Sequence, residues 1–221
     1  MKHSPNVGIV SVGVGNIVAI EGSLRRLCIR STRVSSPDDL STLSHLFIPG
    51  VGAMGEFMAR LRASRLDQAI KAFASHGKIL GICLGFQVLY SYSQEGQCEC
   101  LNLLEGEVKS LSDYTNLTTN VGYLQIINKD PVSTELQQIV PKKSLLSDNI
   151  SARSHRDNNE YYFTHSYFVP VVNSTTHVAQ PDSKTLITAA SSNGINIYGT
   201  QFHPELSHSI GRTLISQFLA K

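Results

Sequence analysis

The sequence predicts an α/β fold, a mostly parallel central sheet with helices on both faces. Short apolar runs alternate with helix-length amphipathic stretches up to about residue 92, the pattern of parallel strands joined by crossover helices. Gly13 and Gly15 interrupt the first run, and Pro49, Gly50 and Gly52 end the third, as strand-terminating turns do. Of 221 residues, 41% are hydrophobic and 16% charged, enough apolar surface for one globular domain with a real core.

Residues 7–12 read as a first buried strand. Ile17, Ile20, Leu24 and Leu27 recur at helical spacing, so 17–27 reads as a helix and completes a βα unit. The Gly13-Val14-Gly15-Asn16 loop between them lacks the third glycine and the lysine of phosphate-binding loops, so it reads as helix entry. Residues 33–35 form a weak second strand and 46–48 a clear third. Phe57, Leu61, Leu66, Ile70 and Phe73 mark helical material, 78–82 is a fourth strand, and 86–92 reads as the start of another helix. Beyond about residue 93 the composition turns to Ser, Thr and Asn, with short alternating runs at 108–111 and 123–127 that suit antiparallel strands. Residues 141–160 carry few apolar side chains and read as an exposed loop. The sheet pattern resumes at 161–163, a strand follows at 195–202, and 210–219 closes as an amphipathic helix.

Composition narrows the function. Lys and Arg number 19 against 17 Asp and Glu, and no basic cluster suggests a nucleic-acid surface. The apolar runs fall well short of the roughly 20 residues that cross a membrane as a helix. Four cysteines, Cys28, Cys83, Cys98 and Cys100, are too few for a disulfide framework and suit reduced thiols in the cytoplasm. Residues 7–12 read as a strand rather than a signal peptide, so the glycosylation triplets at 116–118, 149–151 and 173–175 carry no weight. Cys98-Glu99-Cys100 has no second pair at zinc spacing, so no metal is expected.

Chemistry concentrates around Gly81-Ile82-Cys83-Leu84-Gly85, a cysteine with glycine at both second neighbours, between a buried strand and a helix. A strand-to-helix elbow of this kind displays a nucleophile and needs small flanks because the chain passes close to itself. A buried structural cysteine is the plainer alternative, and the elbow argues against it. A cysteine nucleophile needs a base, and the base an orienting partner. His203-Pro204-Glu205 supplies both, because residues two apart in extended chain face one side. The preceding strand would deliver His203 to the rim where open α/β sheets bind ligands. Pro49-Gly50-Val51-Gly52 follows the third strand and can turn backbone N–H groups toward a negative oxygen.

Together these segments resemble the class I (triad-type) glutamine amidotransferases, and within them the glutaminase subunits of imidazole glycerol phosphate synthase. The resemblance rests on residues 7–16, on Leu46-Phe47-Ile48-Pro49-Gly50-Val51-Gly52-Ala53, and on Gly81-Ile82-Cys83-Leu84-Gly85-Phe86-Gln87. Tyr162-Phe163-Thr164-His165-Ser166-Tyr167 and Gly199-Thr200-Gln201-Phe202-His203-Pro204-Glu205 complete it, in the family's order. It implies a three-layer, flavodoxin-like fold over residues 1–221 as one domain, with no cofactor. It further implies Cys83 as the nucleophile toward glutamine, His203 as general acid/base and Glu205 as its orienter. Leu84 and the Gly50, Val51 and Gly52 segment would supply oxyanion amides. Gln87 and Glu95 would grip the amino-acid end of glutamine, with His165, Ser166 and Tyr167 alongside. The implied partner is a (β/α)8-barrel cyclase subunit in a heterodimer, which receives the ammonia and makes imidazole glycerol phosphate and an aminoimidazole carboxamide ribotide.

Two departures fall on the side expected to face that partner. Many relatives read Pro-His-Met-Gly-Trp-Asn where this chain reads Thr119-Asn120-Val121-Gly122-Tyr123-Leu124, and many carry lysine at the position of Leu206. A paralogue supplying ammonia for nucleotide-sugar modification in surface polysaccharide assembly and a non-catalytic regulatory relative therefore stand as alternatives, and a stand-alone cysteine hydrolase of γ-glutamyl compounds is a third.

Overall fold

The computed structural model describes residues 5–129 and 160–220. Strand β1 (Val7–Val10) leads through a glycine-containing loop to helix α1 (Ile17–Arg26), whose first turn is capped by Asn16, its Oδ1 accepting from the Ala19 N–H at 3.3 Å. Then follow β2 (Ser31–Val34), β3 (His45–Ile48), α2 (Met54–Ala63), α3 (Leu66–Phe73) and β4 (Lys78–Ile82). A one-turn helix, α4 (Leu84–Gln87), leads to short strands β5 (Tyr92–Ser93), β6 (Cys98–Glu99) and β7 (Glu107–Ser110). The remainder comprises β8 (Asn120–Asn128), β9 (Glu160–His165), β10 (Tyr167–Phe168), β11 (Thr175–Ala179), β12 (Ile187–Ser192), β13 (Ile197–Thr200) and α5 (His208–Ala220).

The main sheet has nine strands in the order β2-β1-β3-β4-β13-β12-β11-β8-β9. Its first five strands pair in parallel and the others antiparallel. Alternation along the parallel strands sends side chains to two cores. Val7, Ile9, Phe47, Leu80 and Ile82 meet Ile20 and Leu24 of α1 and Leu214, Ile215 and Phe218 of α5. Val10, Leu46, Ile48 and Ile79 meet Met54, Phe57, Leu61, Ile70 and Phe73 of α2 and α3 on the opposite face. The result is helix, sheet, helix, held by apolar burial on both sides. A small second sheet, β10-β7-β5-β6, is joined to the main one where β9 runs directly into β10.

Three expectations shift in detail. The helix expected over 86–92 lasts a single turn and Tyr92 joins a strand, because the 101–104 segment takes the carbonyls that a longer helix would use. The N–H groups of Leu101, Asn102 and Leu103 donate to the carbonyls of Val88, Tyr90 and Leu89 at 2.9, 2.8 and 2.7 Å. The strand expected from 195 begins at Ile197, because the Asn193 side chain gathers the N–H groups of Ile195, Asn196 and Ile197 into a turn. The first strand ends at Val10 rather than at residue 12. The loop expected at 141–160 lies, apart from Glu160, outside the described residues, as does the triplet at 149–151.

Register positions the site. Ile48 pairs with Gly81 and Ile82 with Thr200, so Pro49, Cys83 and Gln201 emerge side by side at the C-terminal ends of three adjacent strands. Close backbone approach makes that possible. A Cβ on Gly85 would lie 1.9 Å from the Ile48 carbonyl oxygen, and one on Gly50 would lie 2.1 Å from the Ile82 carbonyl oxygen. Gly85→Ala is therefore expected to destabilise the fold by about 3 kcal/mol in urea titrations. Gly22→Ala, on a helix face where the nearest atom is the Arg26 guanidinium tip at 3.8 Å, should instead stabilise it by about 0.5–1 kcal/mol.

Candidate active site

Cys83 lies between β4 and α4 with φ 51° and ψ −107°, a left-handed conformation that costs a non-glycine residue energy and is held by its surroundings. Its own N–H donates to the Thr200 carbonyl at 2.8 Å, pinning the elbow to β13. Its sulfur opens onto a cleft of about 340 Å³, lined by Gly50, Val51, Gly52, Leu84, Gln87, Glu95, Thr164, His165, Ser166 and Tyr167. Every residue expected from the sequence to bind or polarise the substrate thus borders one cleft, drawn from four separate stretches of chain.

His203 and Glu205 stand behind Cys83, with side chains 2% exposed. His203 Nδ1 lies 2.8 Å from Glu205 Oε1, so the ring donates from Nδ1 to the carboxylate and keeps Nε2 for Cys83. Neither His203 Nε2 nor Glu205 Oε2 has a hydrogen-bond partner among the described residues. Burial opposes a charged ring, but the Cys83 sulfur and the Glu205 carboxylate outweigh it and push His203 up to about 10. The loop carrying the pair is tied to β9: the His203 N–H donates to the Tyr162 carbonyl at 2.8 Å, and Ser207 Oγ accepts from the Tyr162 N–H at 3.0 Å.

His165 borders the cleft with both ring nitrogens engaged. Nδ1 donates to the Tyr167 carbonyl at 2.9 Å, which leaves Nε2 to accept from Asn120 Nδ2 at 3.0 Å. Burial is the main cause that brings it down to about 4, against the pull of the Tyr167 carbonyl, so this ring is neutral. Its imidazole is structural. Ser166 Oγ is likewise engaged, 2.9 Å from Thr119 Oγ1. Glu95 sits half-buried on the turn after β5, raised above the ordinary carboxylate range by burial against the counter-pull of the Met54 N–H. A carboxylate so placed favours a cationic neighbour in the cleft.

Two further groups touch the Cys83 sulfur without being singled out by the sequence. The thiol donates to the Thr164 carbonyl at 3.6 Å, and Gln201 Nε2 donates to the sulfur at 3.7 Å. Gln201 stands within the His-Pro-Glu segment, but its contact depends on strand register, which no local motif carries.

The two departures meet in space beside the buried pair. Tyr123 stacks on the His208 ring at 5.7 Å and 9°, and its hydroxyl lies 2.9 Å from His208 Nε2 and 3.4 Å from the Leu206 carbonyl. Its edge meets Tyr162 at 5.4 Å, and Tyr162 lies 6.4 Å from His203. Val121, Tyr123 and Leu206 are all exposed, making an apolar surface immediately behind the His203 loop.

Fold and cleft together define a class I glutamine amidotransferase: the sequence model of that family matches residues 14–221, and the chain belongs to it. Three curated relatives share one name. The chain is 31% identical to the imidazole glycerol phosphate synthase subunit HisH of Dehalococcoides mccartyi, covering 96% of this chain and 95% of that protein. It is 32% identical to the subunit of the same name from Xanthomonas euvesicatoria, covering 97% and 96%, and 28% identical to that of Bacillus subtilis, covering 96% and 94%. Among solved structures it resembles a glutamine amidotransferase at TM-score 0.67 and 16% identity, covering 97% of each chain. It resembles PurLQS from Thermotoga maritima at TM-score 0.67 and 16% identity, covering 99% of each. These structural likenesses show the shared three-layer α/β fold. No described helix is long and apolar enough to cross a membrane.

The raised His203 value fixes the sign of a pH effect. The stability contributed by its charged state is fully present below about 6.5, its ordinary value, and is lost as pH rises through about 10. Thermal melts across that window should show wild type losing stability with rising pH, and Glu205→Gln losing less, because the variant ring has less attraction to lose.

Proposed function

We propose that this chain is the glutaminase subunit of an imidazole glycerol phosphate synthase in histidine biosynthesis, one cytoplasmic domain over residues 1–221. One observation carries the reading: a cysteine held at an elbow opens onto a cleft of about 340 Å³ and is backed by a buried histidine–carboxylate pair. The shared name of the curated relatives supports the pathway.

In this reading the Cys83 sulfur attacks the side-chain amide carbon of glutamine. The C=O bond becomes C–O⁻, which faces the Leu84 N–H and an N–H of the Gly50 to Gly52 segment. His203 holds the thiol's proton and delivers it to the amide nitrogen, the C–N bond breaks, and ammonia leaves a glutamyl thioester. Water then loses a proton to His203 and adds to the thioester carbon. The C–S bond breaks, its electron pair returns to sulfur, and glutamate departs. Glu205 keeps the ring in the required tautomer throughout, and Glu95 pairs with the substrate α-ammonium. Gln87 offers that substrate its Oε1, since its N–H groups are committed to Tyr167 and Gln201.

The ammonia passes to a (β/α)8-barrel cyclase subunit within a heterodimer, where it enters the formation of imidazole glycerol phosphate and an aminoimidazole carboxamide ribotide. Enclosure has a physical motive, because ammonia released into water is protonated and lost. The apolar surface of Val121, Tyr123 and Leu206 belongs to the partner-facing side, and there this chain uses apolar contact where many relatives use lysine.

Glutamate release by the purified chain tests the reading. Cys83→Ala should abolish release, and a co-expressed barrel subunit with its ribotide substrate should raise wild-type turnover at least about tenfold. Release that needs Cys83 but ignores that partner would remove the histidine-pathway assignment. Glu95→Gln should raise KM for glutamine about tenfold to a hundredfold while kcat changes less than about threefold. Wild-type KM should itself rise as pH falls through the raised Glu95 value, as the carboxylate takes up a proton.

A further inference from the structure

We infer that Gln201 stabilises the thiolate of Cys83, its side-chain N–H aimed at the sulfur by a hydrogen-bond relay that begins at the Tyr167 carbonyl. The inference rests on the reading of Cys83 as nucleophile and adds a residue to that site. Gln201 follows β13 directly and is 0% exposed, with its own N–H donating to the Ala189 carbonyl at 2.9 Å. Its side chain bridges two groups: Oε1 accepts from Gln87 Nε2 at 3.0 Å, and Nε2 donates to Cys83 Sγ at 3.7 Å. Gln87 Nε2 also donates to the Tyr167 carbonyl at 2.7 Å.

The polarity of this relay is fixed by what each group is able to do. A peptide carbonyl only accepts, so Tyr167 holds the amino end of the Gln87 amide. The second N–H of that amide needs an acceptor, and Gln201 Oε1 is the group it meets. Gln201 is then left with its amino end toward the sulfur. The reverse orientation would set two amino groups against each other in a buried site, at the cost of unsatisfied donors. Sheet register supplies the reach, because Ile82 pairs with Thr200 and sets Cys83 and Gln201 level on neighbouring strands.

Two groups thus act on the sulfur in opposite senses. The Thr164 carbonyl accepts from the protonated thiol at 3.6 Å and favours it, whereas the Gln201 N–H favours the anion. A carboxamide does not titrate in water's range, so its support is constant with pH. It serves twice in the reaction, when the thiolate attacks and again when the C–S electron pair returns to sulfur. In this scheme Gln87 is a positioning residue that orients Gln201.

Alkylation reads the thiolate directly. Iodoacetamide converts the Cys83 thiolate to a thioether with loss of iodide, and peptide mass spectrometry separates Cys83 from the exposed Cys28. The titratable groups around the sulfur are His203 with Glu205 behind it, and His165 and Glu95 across the cleft, all unchanged in the variants. Gln201→Met keeps the volume and removes the donor. In the full chain it should move the pH of half-maximal alkylation up by about one unit, a tenfold loss of thiolate, with a comparable fall in kcat. Gln201→Glu keeps an acceptor for Gln87 and serves if the methionine variant does not fold; its upward shift should be at least as large. An unchanged alkylation profile in a folded variant would overturn the inference and leave Gln201 as a space-filling, hydrogen-bonded residue. Alkylation needs no glutamine, so a shifted profile in a chain inert toward glutamine would sink the glutaminase reading and leave this one standing.

Discussion

Gly50, Gly81 and Gly85 let three stretches of backbone meet with no side chain between them, and the position of Cys83 depends on that meeting. The end of β3 lies against the first turn of α4, and β4 folds back over the same turn. With no room for a Cβ at the crossing, the chain between β4 and α4 has one way through, which turns Cys83 into the left-handed region. The strain is local, of order 1–3 kcal/mol, and is offset by two packed cores on either side of the sheet. Order in the parallel half is therefore what holds the sulfur out toward the cleft.

The two histidines nearest the cleft show how partners, rather than burial, decide chemistry. Both rings are deeply buried, and burial drives both toward neutrality. His165 meets a carbonyl and an amide, which satisfy a neutral ring and nothing more. His203 faces the Cys83 sulfur, which favours a charged ring as the thiolate, and the Glu205 carboxylate, which does the same. Two acidic neighbours, Cys83 and Glu205, separate a ring held charged from one held neutral.

Much of the parallel half was legible, because its signals are local. Buried strands are continuous apolar runs, α1 announces itself by spacing and by Asn16, and the elbow is written in two glycines around one cysteine. The chain after the elbow was not legible in the same way. Residues 86–92 have helical spacing, but their carbonyls are claimed by a segment more than ten residues later, and tertiary competition of that kind leaves no periodic trace. Gln201 escaped for a related reason, since its neighbours come from the elbow after β4, from α4 and from β12. Glu95 and Tyr167 were found by resemblance alone, being placed by a small sheet whose strands are too short to read.

The pairing of β8 with β9 has a bearing on how such a chain can vary in length. The ladder runs from Asn120 opposite His165 to Gln125 opposite Glu160, so its two ends are not equivalent. His165 and the cleft occupy one end, and the connection between the strands leaves from the other. A change in chain length beyond that far end reaches His165 only through the register of the intervening pairs, which acts as insulation. Evolution can thus lengthen or trim the chain at this edge of the sheet without re-aiming His165, whereas a single added residue between Thr200 and His203 would carry the histidine off its line to Cys83.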